Sequence, residues 1–208
     1  MSASLRFIQP CSPVTAKCVP AGDGWIHEPK LDGYRLQVVK DAATVRLYSR
    51  RGHDWGKRLA AMAESLRAIP TRSAILDAEL CLPGQDGVPN FYGLLAGMHF
   101  RQLELAVYAF DLVHLNGEDL RPLPLVERRR RLKRLLSRAK VSCLHLVEDF
   151  DDGQELPEAA ERHGLEGVVS KRRDVPYRSG ECRDWRKVKT VAWREANGER
   201  RRFFQRLS

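Results

Sequence analysis

The sequence predicts an α+β fold composed mainly of antiparallel sheet. Short segments with the apolar pattern of strands outnumber the segments with helical spacing. Of the 208 residues, 43% are hydrophobic and 30% are charged, which supplies the core of a folded domain and excludes a disordered or fibrous protein. No window approaches the roughly 18 consecutive apolar residues of a membrane-spanning helix.

The first quarter of the chain is predicted to form sheet. Residues 1–24 are rich in proline and lack periodicity, which indicates an irregular lead-in. Strands are predicted over 25–30 and 35–40, on either side of a tight turn at 31–34. Alternation with period two predicts another strand over 44–49. These segments favour an antiparallel start to the sheet.

Apolar spacing and terminating residues define the other elements. Apolar residues recur at helical spacing over 56–69, and Pro70 ends that helix. Pro124 suits the first residue of a helix, and Gly164 suits the end of one. The remaining predicted elements are helices over 94–100, 124–139 and 157–163, and strands over 74–82, 105–113, 143–148, 167–171 and 184–191.

The charge distribution indicates a polyanionic partner or a solvated basic surface. The chain has 36 Lys and Arg against 27 Asp and Glu, a net charge of +9, and residues 171–208 contribute 13 of the basic and 5 of the acidic residues. The helix over 124–139 has leucines on one side, and its run Arg128–Arg131 is interpreted as a solvated face, with contact to DNA phosphates as the alternative.

The cysteines and the N-terminus indicate a cytoplasmic protein. The five cysteines are widely spaced and form no C-x-x-C pair, so we expect reduced thiols and neither disulfides nor a zinc site. The first residues lack the apolar core of a secretory signal. No membrane partner is expected.

Lys30 is the strongest candidate in the sequence for a residue that takes part in chemistry. It lies where a predicted strand meets a turn, close to Asp32 and Arg35. Lys187 and Lys189 alternate along a predicted strand and therefore share one face. Cationic neighbours can keep a lysine neutral and nucleophilic if the fold brings them close. The alternative is an ordinary hairpin with a surface lysine.

Six short motifs follow one another in a fixed order. They are Lys30-Leu-Asp-Gly-Tyr-Arg35, Ser49-Arg-Arg-Gly52, Leu76-Asp-Ala-Glu79, Phe110-Asp-Leu112, Glu166-Gly-Val-Val-Ser-Lys171 and Trp185-Arg-Lys-Val-Lys189. Together they resemble the nucleotidyltransferase motifs of ATP-dependent DNA ligases, and the flanking residues are most similar to the ligase module of bacterial DNA ligase D. The resemblance covers roughly residues 7–190.

The resemblance implies a covalent reaction with ATP. Lys30 would attack the α-phosphate, release pyrophosphate and carry AMP, while Asp32 and Arg35 would orient it or hold a phosphate. Lys187 and Lys189 would neutralise the α-phosphate. Glu28 would meet adenine through its backbone. Arg50, preferred over Arg51, would contact the ribose or a phosphate.

Three further residues complete the implied site. Glu79 would accept a hydrogen bond from a ribose hydroxyl or lie close to a metal ion, and Glu166 would bind Mg²⁺ or Mn²⁺ directly or through water. Phe110 would stack on adenine, with simple core packing as the alternative. The third motif has Ala78 where the family usually has glycine, which leaves the direction of Glu79 unchanged unless that position needs a positive φ.

The resemblance also implies the domain organisation. We expect an ATP-grasp-like nucleotidyltransferase domain over 25–192, with helices outside antiparallel sheets, and a basic tail over 193–208. Only a short segment follows Lys189, so the C-terminal OB-fold of the family is missing. A partner chain could supply it, or the chain could be a natural minimal ligase or an excised catalytic domain. The basic and aromatic residues of 199–206 suit a contact to single strands or the packing of the last turn on the core.

The implied function is the sealing of nicked or broken duplex DNA in repair and end joining, in the bacterial cytoplasm at the nucleoid. Partners would be that DNA and a separate OB-fold or repair protein. The alternatives are an RNA ligase or capping-type nucleotidyltransferase, which share the Lys-x-Asp-Gly-x-Arg motif, and a non-catalytic module that binds nicks or ends.

Overall fold

The computed structural model describes residues 5–84 and 89–197. Its strands are β1 Cys11–Thr15, β2 Trp25–Lys30, β3 Tyr34–Asp41, β4 Thr44–Ser49, β5 Ser73–Cys81, β6 Ala106–Leu115, β7 Glu118–Asp119, β8 Leu144–Leu146, β9 Gly167–Arg172 and β10 Gly180–Lys189. Its helices are α1 Ala60–Leu66, α2 Phe91–Phe100, α3 Leu125–Arg138 and α4 Leu156–Arg162, with a 3₁₀ turn at Gln102–Glu104. Residues 191–197 are also helical and are called here segment 191–197.

The strands form two sheets. The smaller sheet has the order β1-β10-β9-β2, and the larger has the order β4-β3-β5-β6-β7, with β8 paired to β6. The β1–β10 and β6–β8 pairs are parallel, and the other pairs are antiparallel. This arrangement confirms the predicted α+β class. Within the described residues no further sheet follows β10.

The larger sheet separates two apolar cores. On one side, Leu36, Val38 and Leu76 pack with residues of α1, α2 and α3. On the other side, Val39, Ile75 and Phe110 pack against Trp185 and Cys182 of the smaller sheet. Alternate residues of β3 therefore serve different cores, as the period of a strand requires. The second core leaves an opening between the sheets, and the candidate site lies there.

The N-terminal segment and the turn at 31–34 differ from the sequence-based expectations. Residues 1–24 are not all irregular, because β1 pairs with β10 and the side chain of Gln37 binds the backbone of Ile8 at both its N–H and its carbonyl. The turn does not close a hairpin, because β2 pairs with β9 whereas β3 pairs with β4 and β5. It leads the chain from one sheet to the other.

The basic run of α3 is also different from its prediction as a solvated face. Arg128 and Arg129 are 0% and 2% exposed. The Arg128 guanidinium forms two hydrogen bonds of 2.8 Å with the buried carboxylate of Asp111. Only Arg130 and Arg131 fit the predicted surface position, where both pair with Glu127. The interpretation of Arg128 and Arg129 as solvated is therefore wrong.

The predicted tail over 193–208 is only partly a tail. Its first residues belong to segment 191–197, and the side chain of Trp193 packs back on the domain. The basic and aromatic residues of 199–206 lie outside the described residues. No helix in 5–84 or 89–197 is long and apolar enough to cross a membrane. The five cysteines are free thiols.

Candidate nucleotide site

The ends of three adjacent strands create the centre of the site. Gly167, the first residue of β9, lies opposite Lys30 of β2 on one side and Lys189 of β10 on the other. Its neighbour Glu166 receives both lysines, at 2.7 Å from Lys30 Nζ and 2.8 Å from Lys189 Nζ. Sheet register alone therefore brings together three residues that are far apart in the sequence.

Gly167 permits this close packing. Its φ is +153°, and a Cβ atom added there would lie 2.0 Å from the carbonyl oxygen of Val188 and 2.8 Å from the Cα of Lys189. Any side chain at this position would push β10 away from β9. The distance between the two lysines thus depends on a glycine between them.

We expect Gly167→Ala to lower the free energy of unfolding by more than about 1 kcal/mol, because the methyl group clashes with backbone atoms. Thermal or urea unfolding measures this change. Gly24→Ala is the matched control, because its Cβ would meet only a flexible arginine end at 3.8 Å. Equal stability of the two variants would contradict the assigned role of Gly167.

Two adjoining cavities meet at Lys30, Arg35 and Glu79. The first is a mainly apolar slot between the sheets, and the second has a volume of about 470 Å³. The other residues that line the first cavity include Glu28, Phe110, Val169, Lys171 and Trp185. Those of the second cavity include Ser12, Tyr34, Arg50, Arg51, His53, Glu166 and Lys187. An apolar slot that opens into a basic cavity suits a ligand with a flat ring and an anionic tail.

Lys187 faces the basic cavity beside Lys30. Burial lowers the pKa of Lys187, and the charges of Lys30, Lys189 and Arg50 lower it further. A bound polyanion relieves this repulsion, so the site is built to receive negative charge. Lys187 and Lys189 share one face of β10, as their spacing predicted.

Arg50 and Arg51 both line the basic cavity, so the choice between them stays open. Arg50 is exposed, and its guanidinium lies 3.3 Å from the hydroxyl of Ser12. It is therefore available to an incoming anion.

Arg35 has structural partners in the site. Its guanidinium binds both oxygens of Asp77, at 2.6 and 2.7 Å, and the carbonyl oxygen of Cys11. It also lies 4.5 Å from the centre of the Phe110 ring. These contacts indicate that Arg35 shapes the junction of the two cavities.

Glu79 is a half-buried carboxyl at the same junction. Burial raises the pKa of Glu79 to about 7, although the positive charges of Lys30 and Arg35 oppose the rise. Near neutral pH the group can therefore either accept or donate a hydrogen bond. That property fits a contact with a hydroxyl group of a ligand.

Phe110 and Glu28 form the wall of the apolar slot. Phe110 is 8% exposed, and the Lys171 ammonium lies 4.2 Å from its ring centre. The Glu28 carboxylate is buried and pairs with Lys171 at 2.5 Å and with Arg129. Arg129 also donates to the carbonyl oxygens of Phe110 and Val147. Phe110 therefore contributes to the core and to the cavity at once.

The predicted metal residues fit an ion that arrives with phosphates. Glu79 and Glu166 both border the basic cavity. In the described part of the chain no three or more His, Cys, Asp or Glu residues cluster to hold an ion by themselves. Mg²⁺ commonly takes only one or two carboxylates together with phosphate oxygens, so these two glutamates are sufficient for such an ion.

Asp32 is the predicted site residue that the indole of Trp193 contacts. It lines neither of the two cavities, and its Oδ2 accepts a hydrogen bond of 3.0 Å from Trp193 Nε1. Arg129 and Trp193 contact the site but are not among the residues that the sequence motifs predict. Arg129 follows Leu125 by four positions and precedes Leu132 by three, so helical spacing places it on the buried side of α3. Nothing in the sequence singles out Trp193.

Comparisons with known proteins agree with this geometry. Residues 8–189 match the family model described as ATP dependent DNA ligase domain. The multifunctional non-homologous end joining protein LigD of Pseudomonas aeruginosa is 37% identical in an alignment of 192 residues. That alignment covers 88% of this chain and 23% of that protein. A probable DNA ligase of Streptomyces coelicolor is 36% identical over 79% of this chain and 35% of its own length.

A solved structure shows the same fold. The ligase domain of Mycobacterium tuberculosis LigD matches with a TM-score of 0.70 and 33% identity, over 86% of this chain and 58% of that one. A mycobacterial DNA ligase D complexed with ATP and MES matches equally well, at a TM-score of 0.70. The chain thus spans about a quarter to a third of the length of the full-length relatives named here.

Proposed function

Because the chain belongs to the ATP-dependent DNA ligase family, we propose that it forms a covalent lysyl-AMP at Lys30 and transfers the AMP to the 5′-phosphate of a DNA nick. The observation that carries the proposal is the contact of Glu166 with both Lys30 and Lys189, together with the position of Lys30 where an apolar slot meets a basic cavity. The slot accommodates the adenine, and the basic cavity accommodates the phosphates.

The first step is an exchange at phosphorus. The neutral Nζ of Lys30 forms a bond to the α-phosphorus of ATP, and the bond from that phosphorus to the bridging oxygen breaks to release pyrophosphate. The proton of the lysine leaves to Glu166 or to water. Lys187 and Lys189 stabilise the negative charge that grows on the α-phosphate oxygens.

The other site residues hold the nucleotide. Phe110 and the backbone at Glu28 contact adenine, Glu79 contacts a ribose hydroxyl, and Arg50 contacts the ribose or a phosphate. Glu166 and Glu79 would hold a divalent ion that binds together with the phosphates, and such an ion would supply neutralisation of the leaving group's charge. Arg35 and Asp32 act by positioning the loop that carries Lys30.

The second step gives the domain its DNA substrate. The phosphoramidate bond of lysyl-AMP breaks as the 5′-phosphate of a nick takes the AMP, and the adjacent 3′-hydroxyl then displaces AMP to close the strand. The basic cavity is the part of the described surface that suits this phosphate. The organisation of the relatives suggests that DNA repair by end joining is the setting, with a separate OB-fold or repair protein as a partner.

Incubation with α-labelled ATP and Mg²⁺ or Mn²⁺, followed by denaturing electrophoresis and intact mass, tests the first step. We expect label that remains on the chain and maps to Lys30. Nicked DNA, nicked RNA and a 5′-diphosphate RNA end are then offered as acceptors. Transfer to RNA alone would replace the DNA proposal by the RNA ligase or capping alternative, and DNA binding without any label would favour the non-catalytic module.

Phe110→Leu is expected to raise the apparent KM for ATP. The substitution keeps much of the apolar volume and removes the ring, and stacking of about 1–3 kcal/mol predicts a rise of roughly fivefold or more. Initial rates of label incorporation at several ATP concentrations measure it. Phe100→Leu is the control because Phe100 is 87% exposed. An unchanged KM in Phe110→Leu would leave Phe110 a core residue only.

A further inference from the structure

Segment 191–197 is fastened to the nucleotide site at its first turn. The backbone N–H groups of Val191 and Ala192 each donate to the carboxylate of Glu161 in α4, at 2.8 Å. The hydroxyl of Thr190 donates to the carbonyl oxygen of Leu165, directly before Glu166. These contacts fix the direction in which the chain leaves β10.

Trp193 projects from this segment back to the site and makes two contacts there. The Lys189 ammonium lies 3.4 Å from the centre of its ring, within the range of a cation–π interaction. The indole Nε1 donates a hydrogen bond of 3.0 Å to Oδ2 of Asp32. Trp193 is half-buried and belongs to neither apolar core of the described residues. Its position is therefore determined by polar and charged neighbours of the site.

These contacts form a closed series of neighbours that begins and ends beside Lys30. Lys30 contacts Glu166, Glu166 contacts Lys189, Lys189 contacts the indole, and the indole contacts Asp32, two residues after Lys30. The Lys189 ammonium is held between a carboxylate oxygen at 2.8 Å and an aromatic face at 3.4 Å. Among the contacts of the described residues, the indole and the Glu166 carboxylate are the two groups that restrain the Lys189 ammonium.

We propose that Trp193 is a positioning residue for lysine adenylation, which holds Lys189 and the Asp32 loop in register with Lys30. The inference rests on the proposed function. Trp193 lines neither the apolar slot nor the basic cavity, so we expect it to act through Lys189 and Asp32 rather than by direct contact with ATP. Its loss therefore affects the rate at saturating ATP more than the KM for ATP.

The test compares Trp193→Ala and Trp193→Phe with Val191→Ala, a control in the same segment whose side chain is 54% exposed. The rate of AMP incorporation is measured over a range of ATP concentrations. We expect Trp193→Ala to lower the saturating rate about tenfold or more, with KM changed less than about threefold. Trp193→Phe keeps a ring over Lys189 and should recover part of the rate.

A second measurement is independent of ATP and follows Lys189 itself. Limiting acetic anhydride acylates only neutral amines, and peptide mass spectrometry quantifies the product at each lysine. The indole covers the Lys189 amine at 3.4 Å, so Trp193→Ala should expose that amine to the reagent and increase its acetylation severalfold relative to Val191→Ala. If Trp193→Ala does not fold, Trp193→Leu replaces it in both assays, because leucine keeps apolar volume but removes both the ring over Lys189 and the hydrogen bond to Asp32.

The inference requires both results. A saturating rate within twofold of wild type, or unchanged Lys189 acetylation, would overturn it. A fall in rate that ATP excess restores would also overturn it, because that pattern is a binding effect. If wild type incorporates no AMP, the proposed function fails and the role of Trp193 in adenylation fails with it; label on wild type with an unaffected Trp193→Ala variant overturns the role of Trp193 alone.

Discussion

Replacement of Lys30 by arginine is expected to abolish covalent labelling of the chain by α-labelled ATP. Arginine keeps a positive charge near Glu166, which Lys30 contacts at 2.7 Å, but a guanidinium does not lose its proton and cannot act as the nucleophile. Label should fall to background, a decrease of roughly 10³-fold or more. Lys30→Ala should behave in the same way.

Two controls separate the loss of the nucleophile from the loss of the site. Lys140→Ala removes an exposed lysine at the end of α3 and should leave labelling unchanged. Affinity for nicked DNA, measured at one stated salt concentration, should be nearly the same for Lys30→Arg and wild type. Label that persists in Lys30→Arg and maps to Lys187 or Lys189 would transfer the role of nucleophile to that residue.

Arg128→Ala is expected to reduce stability more than any other single change to the basic run of α3. The substitution leaves the Asp111 carboxylate, itself 0% exposed, without the guanidinium that binds both of its oxygens. It also removes donors to the carbonyl oxygens of Leu123 and Val175. Breaking a buried ion pair from one side costs about 3–5 kcal/mol.

Arg130→Ala is the matched control for this prediction. Arg130 is two positions away in the same helix and pairs with Glu127, but its side chain is 59% exposed. Exposed pairs of this kind contribute about 0–1 kcal/mol. Urea unfolding of both variants measures the two free energies. A similar loss in both would show that burial of Arg128 contributes nothing special to the stability of the domain.

The difference between these arginines explains what the sequence could and could not predict. The motifs identified the ligase family, and the family match over 8–189 confirms that identification. The alternation of Lys187 and Lys189 correctly placed both lysines on one face. The prediction of a solvated arginine run follows residue type and is wrong for Arg128 and Arg129. These residues lie three and four positions after Leu125, and this helical spacing places both on the buried side of α3.

Other features depend on long-range pairing, which local patterns do not contain. The segment 25–41 has the local pattern of a hairpin. In the structure β2 pairs with β9 and β3 pairs with β5, so the two strands belong to different sheets. The strand β1 escaped detection because its pairing partner, β10, lies near the other end of the described chain. The position of Trp193 follows from the direction that Glu161 imposes on segment 191–197, and this contact spans 30 positions.

The smaller sheet joins segments that are far apart in the sequence, and this affects the order in which the parts of the domain fold. Lys30 contacts a residue 136 positions later, and the backbone N–H of Cys11 in β1 donates a hydrogen bond to the hydroxyl oxygen of Tyr177, 166 positions later. The neighbours β3, β4, β5 and β6 can pair as soon as residue 115 has been synthesised. Since contacts that close long loops form late, the larger sheet provides a template during synthesis. The strand β2, which ends at Lys30, can pair only after β9 has been made. A nascent chain therefore forms the contacts among Lys30, Glu166 and Lys189 only when nearly the whole domain has left the ribosome.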